Sequence, residues 1–277
     1  MSAAEVSPLG RASAGVPGWL KRARAAAWAP PASARAELRL GAAAQLIGSI
    51  DPVLAARMAA AGLALRRHDA AWAVAGAADA SLAAIAQWLH QERICTRWRD
   101  ELLAVVDSGG QTLAVVERSV VRVLGLKTFA VHLVGRSIDA GVWVQQRAFD
   151  KATDPGRWDT MMGGQVTAGE TTEATLERET MEEAGLATVD LQAIERCPDI
   201  EVRRPVDDGY MDEHIAVFRA VVTQGRVPEN RDGEVERFEC LHDPALLERL
   251  RAGLFTLEAT LILGAELERR DEAAPSA

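Results

Sequence analysis

The stretch Gly163–Leu186, GGQVTAGETTEATLERETMEEAGL, constrains this chain more tightly than any other. Thr171 is placed to cap a helix and Gly185 to stop it in a left-handed conformation, which predicts a helix over Thr172–Ala184. Inside it Glu179, Glu182 and Glu183 stand at i, i+3 and i+4, so their side chains share an arc of about 100° on the last two turns. That placement is unfavourable for a helix end left in water. Like charges at i, i+4 repel by about 0.2–0.5 kcal/mol, and exposed acids in the last turn oppose the macrodipole at about 0.3–1 kcal/mol each. A hard divalent cation against this face reverses the sign, because Mg²⁺ or Mn²⁺ requires clustered oxygen donors. Such ions bridge phosphate oxygens, so a diphosphate is the natural ligand. An acidic surface helix is the competing reading, and the helix alone does not choose between the two.

The surrounding pattern is of short strands and helices. Leu38–Leu40 and Ala44–Ile50 read as strands, and Asp51-Pro52 opens a helix to about Ala61 with Gly62 as its stop. Ala71–Val74 is another strand, and Ser81–Arg93 a helix with Leu82, Ile85 and Leu89 on one face. Trp98–Val106 and Thr112–Val116 pair around the turn Asp107-Ser108-Gly109-Gly110. Beyond about Leu126, Phe129–Arg136 and Val142–Arg147 form a hairpin, and the loop Lys151–Gly164 leads into the acidic helix. Strands near Leu191–Arg196, Ile215–Val222 and up to Leu241 then precede closing helices. Sheets flanked by helices predict an α/β layer arrangement of the α+β type. The expected division is residues 37–126 as a smaller α+β domain without a legible catalytic constellation, 127–270 as the chemical domain, and 271–277 as a tail.

Residues 1–36 are rich in Ala, Ser, Pro and Arg, with Glu5 the only acid. A tail followed by a short helix, Gly18–Ala27, stopped by Pro30-Pro31, is favoured over an organelle transit segment. With 40 acids against 31 Lys and Arg, the net charge of −9 repels nucleic acid and anionic membranes. No apolar run approaches the roughly 18 residues that a membrane helix needs. Cys95, Cys197 and Cys240, odd in number and widely spaced, suggest neither a disulfide framework nor a zinc site. These features predict a cytoplasmic protein acting on a small molecule.

The wider spacing identifies the acidic helix. Gly164, Glu170, Arg178, Glu179, Glu182, Glu183, Gly185 and Leu186 fit G-x5-E-x7-R-E-U-x-E-E-x-G-U. This is the box of the Nudix hydrolases, which the chain resembles here; a chance match of this kind arises on the order of once in 10⁸ windows. Thr180 departs from the pattern, where an aliphatic residue is usual, and puts packing rather than chemistry in doubt. The resemblance implies a Nudix α/β/α sandwich with a mixed sheet. It also implies that Glu179, Glu182 and Glu183 hold the catalytic Mg²⁺ (or Mn²⁺), one of them also activating water. Glu170 would support them, Arg178 would orient carboxylates, and Gly164 would let backbone approach the metal. A further acid outside the box is expected among Glu213, Asp232, Glu234 and Glu236, with Glu234 preferred.

Lys151-x-x-x-Pro155-Gly156-x-Trp158-Asp159, together with WRDEL (98–102), Phe129–Gly135 and DGEVERF (232–238), resembles one Nudix branch. It is the Nudix region attached to fungal thiamine pyrophosphokinase, with plant and bacterial relatives that carry an extra N-terminal domain. This resemblance implies hydrolysis of oxo- and oxythiamine diphosphate to monophosphates. Lys151 would pair with the diphosphate and Trp158 or Trp143 would stack on a ring, although packing is the commoner role of a Trp. The alternatives are hydrolysis of nucleoside diphosphate derivatives such as ADP-ribose, a ligand sensor without turnover, and an isopentenyl-diphosphate-isomerase-like enzyme. The last needs a catalytic Cys, for which Cys197 is the nearest candidate.

Overall fold

The computed structural model describes residues 16–273. In chain order the elements are α1 (Gly18–Ala27), β1 (Ala36–Leu40), β2 (Gln45–Ile50), α2 (Pro52–Ala60), β3 (Leu65–His68), β4 (Ala71–Val74), α3 (Ala78–Gln91), β5 (Leu102–Val106) and β6 (Thr112–Glu117). There follow β7 (Lys127–Arg136), β8 (Val142–Arg147), β9 (Trp158–Asp159), β10 (Met162–Gln165), α4 (Thr172–Ala184), β11 (Leu191–Arg196), β12 (Ile200–Val206), β13 (Gly209–Val222), β14 (Val235–Leu241), α5 (Asp243–Arg251) and α6 (Leu257–Ala273).

In the N-terminal part, β2-β1-β4-β3 form a four-stranded sheet and β5-β6 a separate hairpin. The Asp51 carboxylate accepts the amide N–H groups of Val53 and Leu54, both at 2.8 Å, which is why α2 starts where the Asp-Pro pair predicts. Leu38, Ile50, Met58, Leu82, Ile85 and Leu89 close the core between this sheet and α2 and α3. Strand β3, Leu-Arg-Arg-His, has no apolar alternation and escapes sequence reading; only Leu65 is buried, and the pairing with β4 makes it a strand. The strand expected from Trp98 begins only at Leu102.

The second part is built on β7. It pairs in parallel with β13 from Lys127 opposite Asp212 to Arg136 opposite Val221, and antiparallel with β10 on its other edge. Strands β11 and β12 extend the sheet from β13, while β9 and β14 attach to β8. Strand β8 touches β7 only at Gly135–Trp143 and Arg136–Val142, so the mixed sheet splits into two halves with a cleft between them. Helix α4 covers one face, packing on Val131, Leu133 and Phe218. Helices α1 and α6 cover the other, where Leu20, Ala23 and Leu261 join Ala130, Val134 and Ile215. This is the expected α/β/α sandwich, preceded by a smaller α+β region.

Helix α1 has its predicted limits but is no appendage: Trp19, Leu20 and Ala27 belong to the same apolar cluster as the central strands, and Ala29 donates to the Arg203 carbonyl at 2.8 Å. The tail assigned before it lies, for residues 1–15, outside the described residues. The C-terminal tail expected from residue 271 is helical through Ala273, and residues 274–277 again lie outside. Strand β12 carries Arg203-Arg204-Pro205, which hides its alternation, and β13 starts at Gly209 rather than Ile215. Among the described residues, no helix is long and apolar enough to cross a membrane.

Candidate active site

The cleft between the sheet halves encloses a cavity of about 400 Å³, and α4 brings its C-terminal turns to the rim. The helix has its predicted ends. The Thr171 hydroxyl accepts the Ala174 N–H at 3.1 Å, and Gly185, at φ +62°, closes the helix with its N–H on the Met181 carbonyl at 3.1 Å. Thr180, the departure from the box, is fully buried and its hydroxyl has no partner. A buried unpaired hydroxyl costs about 1–3 kcal/mol. Thr180→Val, of equal shape, is therefore expected to raise unfolding stability by about 1 kcal/mol or more in denaturant titration; a loss would contradict the packing role.

The three helix glutamates occupy three environments. Glu183 is buried, accepts the Gly163 N–H at 3.1 Å and the Gln145 side-chain amide at 3.0 Å, and lies 3.9 Å from the Lys151 ammonium. Burial pushes its carboxyl up to about 8. Glu179 is largely buried and is also raised by desolvation, although Arg178 Nη1 donates to it at 2.9 Å. A Cβ on Gly164 would overlap the Glu179 carboxyl, so only glycine admits this contact between helix and β10. Glu182 is half-exposed and turned to Arg178 Nη1 at 3.1 Å.

Arg178 organises the cluster through its fork of donors. Nε and Nη2 bind the two oxygens of Glu170 at 2.8 and 2.9 Å, and Nη1 holds Glu179 and Glu182. This bidentate bond, helped by the Thr175 hydroxyl at 2.9 Å, holds Glu170 down to about 2. Glu170 thus braces Arg178, which in turn holds Glu179 and Glu182.

The residues outside the box fare unequally. Lys151 reaches the cavity but bonds Glu234. Glu213, Asp232 and Glu234 all line the cavity, whereas Glu236 is exposed on β14 and does not. Of the three, Glu213 is the buried one, receiving Gln165 Nε2 at 2.5 Å. Trp158 is a correction: it does not face a ligand. It is buried in the core cluster with Phe255, and the guanidinium groups of Arg249 and Arg237 cover its ring at 4.4 and 5.3 Å from the centroid. Its indole is consumed by packing, the commoner fate of a Trp. Trp143 likewise packs beside the α4 cluster. Cys197 and Cys240 do not line the cavity.

Several cavity residues were not assigned to the site from the sequence. His132 is buried with Nδ1 2.8 Å from the Thr160 hydroxyl, and burial lowers its pKa. Asp159 receives Arg147 at 3.2 Å, and Glu258 of α6 is buried and pushed up to about 7, chiefly by desolvation. A polar residue within an otherwise apolar strand, as His132 in AVHLVG, is the signal that marks such positions.

Among the described residues, no three His, Cys, Asp or Glu side chains converge tightly enough to form a metal site by themselves. The reason is visible in Glu182, whose carboxylate is committed to Arg178. The donor chemistry nonetheless fits a hard divalent cation. Glu179 and Glu183 are oxygen donors whose burial disfavours their charge, Gly164 leaves a cradle that any Cβ would fill, and the nearby Gln145 and Glu258 each carry a buried Oε1 without a hydrogen-bond partner.

A split mixed sheet between helical layers, with a capped carboxylate helix laid on a glycine strand, defines an α/β/α domain with an acidic cleft. Residues 127–260 match the family model of the NUDIX domain, and this part of the chain is a NUDIX domain. The chain is 30% identical over 150 residues to Nudix hydrolase 24, chloroplastic, of Arabidopsis thaliana, a match covering 52% of this chain and 40% of that protein. It is 28% identical over 150 residues to Nudix hydrolase 20, chloroplastic, of the same plant, covering 52% and 39%. Among solved structures it is similar to DR0079 from Deinococcus radiodurans, with a TM-score of 0.49 and 20% identity over 60% of this chain and 98% of that one. The chain spans between 39% and 53% of the length of the relatives it matches.

Proposed function

We propose that this chain is a divalent-metal-dependent hydrolase of a diphosphate bond, with oxo- or oxythiamine diphosphate as its substrate and the monophosphate and phosphate as products. The observation that carries the hydrolase reading is the buried pair Glu179 and Glu183 against the Gly163-Gly164 strand, whose desolvation Arg178 and Lys151 offset only in part. Glu179, Glu183 and, from the rim, Glu182 would hold Mg²⁺, for which Mn²⁺ can substitute. The ion would neutralise the diphosphate oxygens and make the attacking water more acidic. Arg178 fixes Glu179 and is itself anchored by Glu170. Water attacks phosphorus, the P–O–P bond breaks on the leaving-phosphate side, and a site carboxylate takes the water's proton. The thiamine assignment rests on the Lys151–Asp159 loop and the WRDEL and DGEVERF segments. We take residues 37–126 as an N-terminal domain and 127–270 as the hydrolase domain. The three free thiols fit a reducing compartment, and we place the enzyme in the cytoplasm.

Phosphate release by the full chain with Mg²⁺, measured in parallel on oxothiamine, oxythiamine and thiamine diphosphates, tests this reading. An ADP-ribose lane needs a coupled phosphatase, because its cleavage frees no phosphate. Metal-dependent release at least tenfold faster from the damaged forms is the expected result. A response confined to ADP-ribose removes the thiamine assignment and keeps the hydrolase; silence in every lane with both Mg²⁺ and Mn²⁺ overturns the hydrolase in favour of a sensor.

A further inference from the structure

We infer that the N-terminal region completes the cleft with a wall of arginines that binds the substrate's phosphate groups independently of the metal, an inference that rests on the diphosphate reading of the site. A second cavity of about 660 Å³ adjoins the first, and Arg97, Arg99, Arg118 and Arg122 line both. All four precede residue 127, where the NUDIX match begins. Glu179, Glu183 and Glu213 line the first cavity with them.

Four guanidinium groups gathered on one wall repel one another, in a protein whose net charge of −9 offers ample acids to separate them. Yet Arg97 and Arg99 are exposed and pair with no carboxylate among the described residues. Arg118 is held by Glu101 at 2.7 Å, and Arg122 lies 3.6 Å from Asp208. Beyond burial and the nearer partners of each, the Arg118 charge is felt by both Glu179 and Glu234. Arg204, which also lines both cavities and lies 3.9 Å from Glu258, has a buried Nε without a hydrogen-bond partner. A neutral sugar or base does not compensate such a wall. A phosphate does, because its oxygens match the planar fork of Arg donors.

The wall is fixed in position by backbone bonds rather than draped over the domain. Ala168, in the loop before α4, donates its N–H to the Leu102 carbonyl at 2.8 Å, and the Arg118 N–H bonds the Glu101 carbonyl at 2.8 Å. On the far side Tyr210 donates to the Arg122 carbonyl at 2.9 Å, and Gly209, at φ +147°, packs where a Cβ would overlap that carbonyl. The cleft lining therefore combines the carboxylates of the NUDIX match, and its Arg147, Lys151 and Arg204, with four further arginines from outside it. The residues preceding the NUDIX match become part of the substrate site and a determinant of its specificity.

Calorimetric titration of the full chain with methylenediphosphonate, a diphosphate that water cannot cleave, in EDTA-containing buffer tests this inference. The wild type is expected to bind it, and the double variant Arg97→Ala/Arg99→Ala to lose at least tenfold in affinity with an unchanged melting temperature. Arg97→Lys/Arg99→Lys, which keeps charge but not the fork, should recover part of the affinity. Arg66→Ala, on β3 and away from both cavities, should match the wild type. Equal binding by the Ala double variant, equal loss in Arg66→Ala, or no binding by the wild type overturns the wall. Loss of Mg²⁺-dependent turnover in the wild type alongside intact arginine-dependent binding would instead remove the hydrolase reading and leave the wall standing.

Discussion

Glu183→Gln is expected to lower metal-dependent turnover by about 10³-fold or more, which corresponds to ~4 kcal/mol of barrier, while the protein folds as well as before. Glutamine has the same shape, and its carbonyl oxygen can accept both bonds that Glu183 Oε2 now receives, from the Gly163 N–H and the Gln145 amide. It also removes a carboxyl whose burial pushes it up to about 8, so the metal-free variant should melt no lower than the wild type. Two readings separate the chemical role from a structural one. Added Mg²⁺ should raise the wild-type melting temperature and leave that of the variant unmoved. A variant that melts much earlier, or that keeps its turnover, would show Glu183 to be a packing residue with an unusual partner set.

Gly164→Ala should be nearly as damaging, through a single methyl group. Its Cβ would stand where the Glu179 carboxyl now lies, so the glutamate must swing away from β10 and pull on Arg178, which holds it. Overpacking of this kind costs about 1–3 kcal/mol of stability. A displacement of about 1 Å in a positioned group costs about 10²-fold in rate. Turnover is therefore expected to fall by about 10²-fold with a weaker Mg²⁺ requirement curve, the concentration for half-activity moving upward. Wild-type activity and metal response in Gly164→Ala would mean that Glu179 does not need this contact.

Local sequence carried the site further than the fold around it. The limits of α4, its Thr171 cap and Gly185 stop, and the shared face of its glutamates follow from helix geometry and the chemistry of chain ends, which act within a few residues. The same locality made α1 and α2 legible, the latter through Asp51-Pro52. It failed where pairing rather than pattern makes a strand. Strand β3 is a strand because β4 lies beside it, and β12 because β13 folds back along it. Trp158 shows the same failure at the level of one side chain. A loop residue beside a cationic motif reads as a ligand contact, yet Arg237 of β14 and Arg249 of α5, some eighty and ninety residues on, close over its ring.

By itself the sequence determined which helix carries the carboxylates, their register, the glycine that must face them and the net charge of −9. Only the tertiary structure decided what each carboxylate experiences. Glu183 is buried and raised, Glu179 is packed on Gly164, and Glu182 is drawn to Arg178, although the three share one face of the helix. It also brought arginines from residues 97–122 into one cavity with the glutamates at 179 and 183. The physical reason is range. Helix periodicity and capping are settled between neighbours in the chain, whereas burial and electrostatic environment depend on groups that meet only when distant strands pair and exclude water.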